Sequence, residues 1–259
     1  MKKLLLLLLL TGISFISFSQ YKGNPGKAKS LLDKSALKSN EVEIRELLIN
    51  AKGEIDAAIL IDKQKQKPNT WLIRGDVYSA IAKGYSDIDN DAIEKSIEAY
   101  DKIGTEVTTN DLTVIQNTTA GRQNLSSYFI NNAIRALQST GEPNYDIAYE
   151  AFSNSLRVNP KDTLGLLYGG YVAEQLKKYD DALTYYDRLM SMKILNDKNT
   201  NTIFQNSINI LYQNCDLFTE CESYERTLGL IEKAKVLFPG NNYYPSVEIN
   251  IAMKLNKVE

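Results

Sequence analysis

Four acidic residues have the spacing of a calcium-binding loop, with three aspartates at alternate positions and a glutamate further on: Asp87, Asp89, Asp91 and Glu98. Carboxylates at these intervals coordinate Ca²⁺ in helix-loop-helix sites, where the glutamate is bidentate. The sixth position of such a loop needs glycine for a sharp turn, but this chain has Ala92 there and a helical pattern follows. We therefore expect no metal, and favour a solvated acidic loop in which Asn90 or Asp91 caps the next helix.

Catalytic groups are scarce in this sequence. The chain contains no histidine, which removes the commonest general base, the Ser-His and Cys-His nucleophile pairs, and the commonest transition-metal ligand. Paired carboxylates remain, for example Asp216 with Glu220, but acids four positions apart on a helix are more often solvated than catalytic. We expect neither enzymatic activity nor a cofactor.

The chain has two cysteines, Cys215 and Cys221. On one continuous helix they would face different directions and could not be bridged, whereas a turn between them would allow a disulfide in an oxidising compartment. The sequence leaves a disulfide and two separate thiols equally open.

The first residues predict export. Lys2 and Lys3 precede a run of leucines, and the small residues Ser17 and Ser19 flank Phe18 just before Gln20. This is the arrangement of a secretory signal peptide, so we assign residues 1–19 to the signal and expect the mature chain to begin near Gln20. An uncleaved anchor is the alternative. No cysteine lies near the cleavage site to carry a lipid.

Apolar residues recur at helical spacing along the rest of the chain, and one pattern occurs twice. The pattern first occurs at Tyr145, Ala148, Phe152 and Ser155. It occurs again 34 positions later, at Tyr179, Ala182, Tyr186 and Leu189. Self-similarity at this interval indicates helix pairs that stack, because each pair can bury its apolar stripe only against its neighbours.

This pattern resembles the tetratricopeptide repeat, a family whose signature positions hold aromatic, glycine, alanine and proline residues. The matching residues are Trp71, Gly75, Tyr78, Ala148, Phe152, Pro160, Gly170, Ala182, Tyr186 and Pro239. Arg74 stands where the family has leucine. The resemblance implies an all-α, right-handed superhelical array of antiparallel helix pairs, an α-solenoid, over residues 20–259, with about five pairs and a terminal helix.

The resemblance also implies a concave groove lined by the first helix of each pair. The groove positions carried over include Asp76, Gln138, Tyr171, Glu174, Gln175, Tyr212 and Asp216. The same alignment with the repeat also gives Leu72, Ser79, Ile130, Ile134, Leu167 and Glu220. Tyrosines among carboxylates and amides suit an extended peptide or a basic segment. The Lys, Arg and Asn residues with which some members hold a C-terminal carboxylate are absent from these positions.

The resulting functional prediction is an exported, non-enzymatic scaffold, periplasmic or secreted from a cell with a Gram-negative envelope, that binds a protein or peptide. A net charge of −2 gives no basic surface for nucleic acid or for an anionic membrane. The alternative is a glycan-binding component of an envelope nutrient-uptake system, although such repeat proteins are usually longer and lipid-anchored.

Overall fold

The computed structural model describes residues 21–193, 197–214 and 221–255, and these residues form helices and no β-strand. The α-helices are α1 (Pro25–Ala36), α2 (Glu41–Ala58), α3 (Asp62–Lys65), α4 (Pro68–Ala82), α5 (Ala92–Thr105), α6 (Leu112–Leu137), α7 (Tyr145–Val158), α8 (Thr163–Gln175), α9 (Tyr179–Met192), α10 (Asp197–Asn214), α11 (Cys221–Leu237) and α12 (Tyr243–Leu255). A short 3₁₀ helix, Ser86–Ile88, precedes α5. The predicted all-α class is confirmed over these residues.

Short polar side chains start several of these helices. The Asn40 side chain accepts hydrogen bonds from the backbone N–H groups of Val42 and Glu43 at 2.9 and 3.2 Å, which caps α2. Asp162 does the same for α8 by accepting from the Gly165 N–H at 2.9 Å. Each of these bonds satisfies a backbone donor that has no partner within its helix.

One predicted cap is wrong. Asp91 precedes α5, but its side chain makes no capping hydrogen bond. Instead Asp89, two residues earlier, accepts the Asp91 N–H at 3.1 Å. The helix α2 ends at Ala58, and Ile61 adopts an extended backbone that separates it from the one-turn helix α3.

The helices divide into two compact units, and the first comprises residues 21–129 together with 157–159. In this unit α1 pairs with α2 and α4 pairs with α5. Its core consists of small and branched side chains on these helices: Ala28, Leu48, Ala51, Ile55, Ala58, Ile73, Val77, Tyr78, Ile81 and Ala92.

The second unit comprises residues 130–156 and those from 160 onward. Here α8 pairs with α9, α10 pairs with α11, and α12 packs on α11. The end of α6 packs on α7 through Ile130, Ala133, Ala148 and Phe152. Ala182, Tyr186, Ile203, Ile231, Ala234 and Tyr244 lie in a second cluster of the same unit. Within the described residues, no helix is both long and apolar enough to span a bilayer.

Candidate partner-binding surface

Two tyrosine rings are seated against glycines in equivalent helix pairs. A β-carbon at Gly75 of α4 would overlap the ring of Tyr100 on α5, and one at Gly170 of α8 would overlap the ring of Tyr186 on α9. Both tyrosines are fully buried. Glycine is therefore required at each position because the facing helix brings an aromatic ring to its backbone.

Each of these tyrosines donates its hydroxyl to a carboxylate on the first helix of its pair. Tyr100 donates to Asp76 at 2.8 Å, and Tyr186 donates to Glu174 at 3.2 Å. Burial raises the pKa of Asp76 above its ordinary value, and the bond from Tyr100 only partly offsets this. Burial likewise raises the pKa of Glu174, with the bond from Tyr186 acting in the opposite direction.

The outer face of α8 carries a line of exposed apolar and aromatic side chains. Leu164, Tyr168 and Tyr171 are 50%, 45% and 42% exposed, at positions that share one side of a helix. Gln175, also exposed, continues the line, and the half-buried Glu174 lies beside it. We call Leu164, Tyr168, Tyr171, Glu174 and Gln175 the α8 face.

Neighbouring rings hold the two tyrosines of this face in place. Tyr168 is stacked on Phe152 with ring centroids 6.4 Å apart, and Tyr171 makes an edge contact with Tyr145 at 6.5 Å. A hydrogen bond with Tyr145, together with burial, raises the pKa of Tyr171. Since aromatic rings held by their neighbours lose little freedom on binding, they make effective contact residues.

The other predicted groove residues differ in where they lie. Gln138 is exposed directly after α6, and Tyr212 is half-buried on α10. Leu72 and Ser79 are buried in the first unit and cannot line a surface. Asp216 and Glu220 lie outside the described residues, as do Cys215 and the side chain of Cys221, so the predictions for them stay predictions.

A network of charges surrounds Tyr78 in the first unit, and it explains why Arg74 replaces leucine. Arg74 is paired with Asp56 and lies 4.6 Å from the Tyr78 ring centroid. The Tyr78 hydroxyl donates to both oxygens of Asp56, at 2.9 and 2.8 Å. Lys52 is also paired with Asp56, at 3.1 Å, and so belongs to the same network. An arginine at this position is thus neutralised by a carboxylate from α2.

This network also reaches the acidic loop and corrects its prediction. Asp89 is not solvated: its side chain is 8% exposed and is bonded by Lys95 at 2.7 Å and by Lys52 at 3.3 Å. Burial alone would raise the pKa of Asp89, but the two lysines outweigh it and the pKa is lowered. In the described residues no group of three metal-ligating side chains is assembled.

Comparisons with known proteins fit the repeat assignment. No family model matches the chain. The TPR repeat-containing protein MJ1428 of Methanocaldococcus jannaschii is 30% identical over 114 residues, which is 44% of this chain and 16% of that protein, so the chain spans only a small part of its relative. A solved structure of Pseudomonas aeruginosa pilF aligns over 88% of this chain and 100% of its own, with 16% identity and a TM-score of 0.33, a value too low to bear on the fold.

The paired helices, the glycine-seated tyrosines and the archaeal relative make the chain similar to tetratricopeptide-type repeat proteins. The described residues form all-α helix pairs, as in an α-solenoid.

Proposed function

We propose that this protein is an exported, non-enzymatic scaffold that binds a protein or peptide partner on the α8 face. The observation that carries the proposal is the alignment of Leu164, Tyr168 and Tyr171, each about half exposed, on one side of a single helix. Grouped exposed apolar side chains mark interaction sites more often than isolated ones do, and tyrosine is among the residues that contribute most to binding.

The packing behind the face supports this role. Gly170 and Tyr186 fix α8 against α9, and Phe152 of α7 supports the ring of Tyr168. A partner would meet side chains that already have their bound arrangement, so little free energy is lost in ordering them. The face also offers hydrogen-bonding groups, from Glu174 and Gln175, that can orient the main chain of an extended peptide.

Export is part of the same proposal, and this part rests on the sequence alone. The charged and apolar residues before Gln20 have the features of a signal peptide, so the scaffold would act in the periplasm or outside the cell. Fractionation of producing cells, with the N-terminus of the mature chain determined by mass spectrometry, tests this. We expect a chain that begins near Gln20 in the exported fraction; a full-length chain in the cytosol would contradict it.

A glycan is the alternative ligand, because exposed tyrosine rings can also stack on sugars. The two ligands are distinguished by screening the full chain against random displayed peptides and against a glycan array. We expect enriched peptides whose binding is lost in the Tyr168→Ser/Tyr171→Ser double variant. The Ile249→Ser/Met253→Ser double variant is the control, since it removes two comparably exposed apolar side chains from α12, which are 54% and 56% exposed.

Tight glycan binding without peptide enrichment would favour the uptake component over the scaffold. Peptide binding that is equal in the two double variants would contradict the assignment of the site to the α8 face.

A further inference from the structure

We propose that the α8 face binds a positively charged side chain, lysine or arginine, of an extended peptide, with the cation placed between Glu174 and Tyr171. This inference rests on the proposed function and specifies the chemistry of the partner. It depends on one carboxylate that is paired with no cation, and one aromatic ring that is covered by none, among the residues that the structure describes.

Three buried or partly buried carboxylates of the first unit are neutralised by cations of the same chain. Glu54, whose side chain is fully buried, is paired with Lys27 at 2.7 Å. Asp89 is paired with Lys95 at 2.7 Å, and Asp56 is paired with Arg74. A half-buried carboxylate with a cation beside it thus recurs in this molecule, as expected from the cost of burying an isolated charge.

Glu174 lacks such a cation. Among the described residues no lysine or arginine is paired with it, and its carboxylate accepts a hydrogen bond from the Tyr186 hydroxyl at 3.2 Å. Asp76 is held in the same way by Tyr100, but Lys29 and Lys83 also lower its pKa. A hydroxyl donor stabilises a carboxylate less than a cation does. The negative charge of Glu174 is therefore available to a partner from outside the chain.

The ring of Tyr171 shows the same contrast. Several aromatic rings of the chain are covered by its own cations: Arg74 lies over Tyr78, and in the second unit Lys178 lies 3.6 Å from the ring centroid of Tyr149. In the part of the chain that the structure describes, no cation lies over Tyr171. An exposed tyrosine face attracts a lysine or an arginine through its quadrupole.

The two groups are close enough to act on one cation. Tyr171 and Glu174 are three residues apart on α8, so their side chains are neighbours on the helix surface. Around Tyr78, a ring and a carboxylate hold Arg74 in the same way, with both interactions supplied by the chain. The apolar stem of the bound side chain would lie along the ring.

A display library of random linear peptides, selected against the full chain, tests this. We expect the enriched peptides to contain a lysine or an arginine at a fixed distance from an apolar residue. Glu174→Gln should weaken them by about tenfold or more, as expected for loss of a charge-assisted contact. Glu232→Gln is the control, since it removes the same charge from an exposed position on α11 and should leave binding unchanged.

Each outcome has a distinct meaning. Enriched peptides that lack a conserved cation, or that bind the Glu174→Gln variant as well as the unchanged chain, would overturn this inference. If those peptides still need Tyr168 and Tyr171, the proposed function survives. If equal weakening were produced by Glu232→Gln, the effect would be one of net charge, which also overturns the assignment to Glu174. A library from which nothing is enriched would contradict both proposals.

Discussion

The hydroxyl of Tyr100 donates a 2.8 Å hydrogen bond to Asp76, joining the second helix of a pair to the first at a point where a glycine admits the ring. Tyr186 and Glu174 repeat this relationship in the second unit. The same contact therefore serves two purposes. The ring fixes the spacing of the helices, and the hydroxyl holds a carboxylate of the first helix in place.

Enlarging Gly170 should destabilise the second unit. In Gly170→Leu the side chain must displace the ring of Tyr186, and overpacking of this kind costs about 1 to 3 kcal/mol of unfolding free energy. The measurement is urea denaturation of both proteins. The matched control is Gly229→Ala on α11, where an added β-carbon meets nothing within 4 Å; this change should stabilise the protein by about 0.5 to 1 kcal/mol. Loss of stability in the control alone would refute the packing argument.

Removing the Tyr100 hydroxyl should also lower stability. Tyr100→Phe keeps the aromatic ring in place but removes the hydroxyl that donates to the half-buried Asp76. This loss costs about 1 to 2 kcal/mol of unfolding free energy. Tyr168→Phe is the comparison, because it removes a hydroxyl from an exposed ring and should change stability by less than about 0.5 kcal/mol. Equal effects in thermal melts of the two variants would mean that the bond to Asp76 contributes nothing.

Asp76 should impose a pH dependence on folding. Because its pKa is higher in the folded chain than in the unfolded one, the folded chain retains a proton that the unfolded chain has released. The unfolding free energy should then fall as the pH rises from the ordinary aspartate pKa, about 3.9, through the folded value. Asp76→Asn lacks this group, so its stability relative to the unchanged chain should increase over that window. Parallel stability curves for the two proteins would be inconsistent with a raised pKa.

Asp89 should act in the opposite sense. Its pKa is lowered by Lys95 and Lys52, so its contribution is present above the unfolded pKa and is lost as the pH falls through the folded one. Asp89→Asn leaves both lysines without this partner and should cost about 1 to 3 kcal/mol of unfolding free energy at pH 7, with the difference disappearing in acid.

Asp87→Asn provides the control for that experiment. It makes the same substitution in the same loop, but the Asp87 side chain is 69% exposed and its pair with Arg45 lies at the surface. Such surface pairs contribute little to stability. If the two variants lost equal stability, the burial of Asp89 would have no energetic consequence.

The residues that the sequence predicted best are those whose role depends on their own helix pair. The 34-residue interval read from the sequence separates α7, Tyr145–Val158, from α9, Tyr179–Met192, because this spacing is local and the chain shows it directly. Tyr100 was missed, although it follows Ser96 at the interval that separates Tyr186 from Ala182. The long connection between α4 and α5, residues 83–91, separates it from the signature residues of its own pair.

What could not be predicted depends on contacts between distant segments. Asp89 was expected to be solvated. The lysines that pair with its side chain lie on helices, Lys52 on α2 and Lys95 on α5, and the sequence around Asp89 does not indicate these contacts. Leu72 was expected to line the groove. It packs instead against Tyr100 of α5 and Val114 of α6, which cover that side of α4. No local pattern specifies which face of a helix the next one will cover.

Photo-crosslinking in the producing cells tests the α8 face most directly. A photoreactive phenylalanine analogue is introduced in place of Tyr171 in one protein, of Gln175 in a second, and of the exposed Thr184 on α9 in a third. The account predicts that irradiation joins one and the same protein to positions 171 and 175 and does not join it to position 184. Adducts of equal yield at all three positions, or none at 171 and 175, would contradict it.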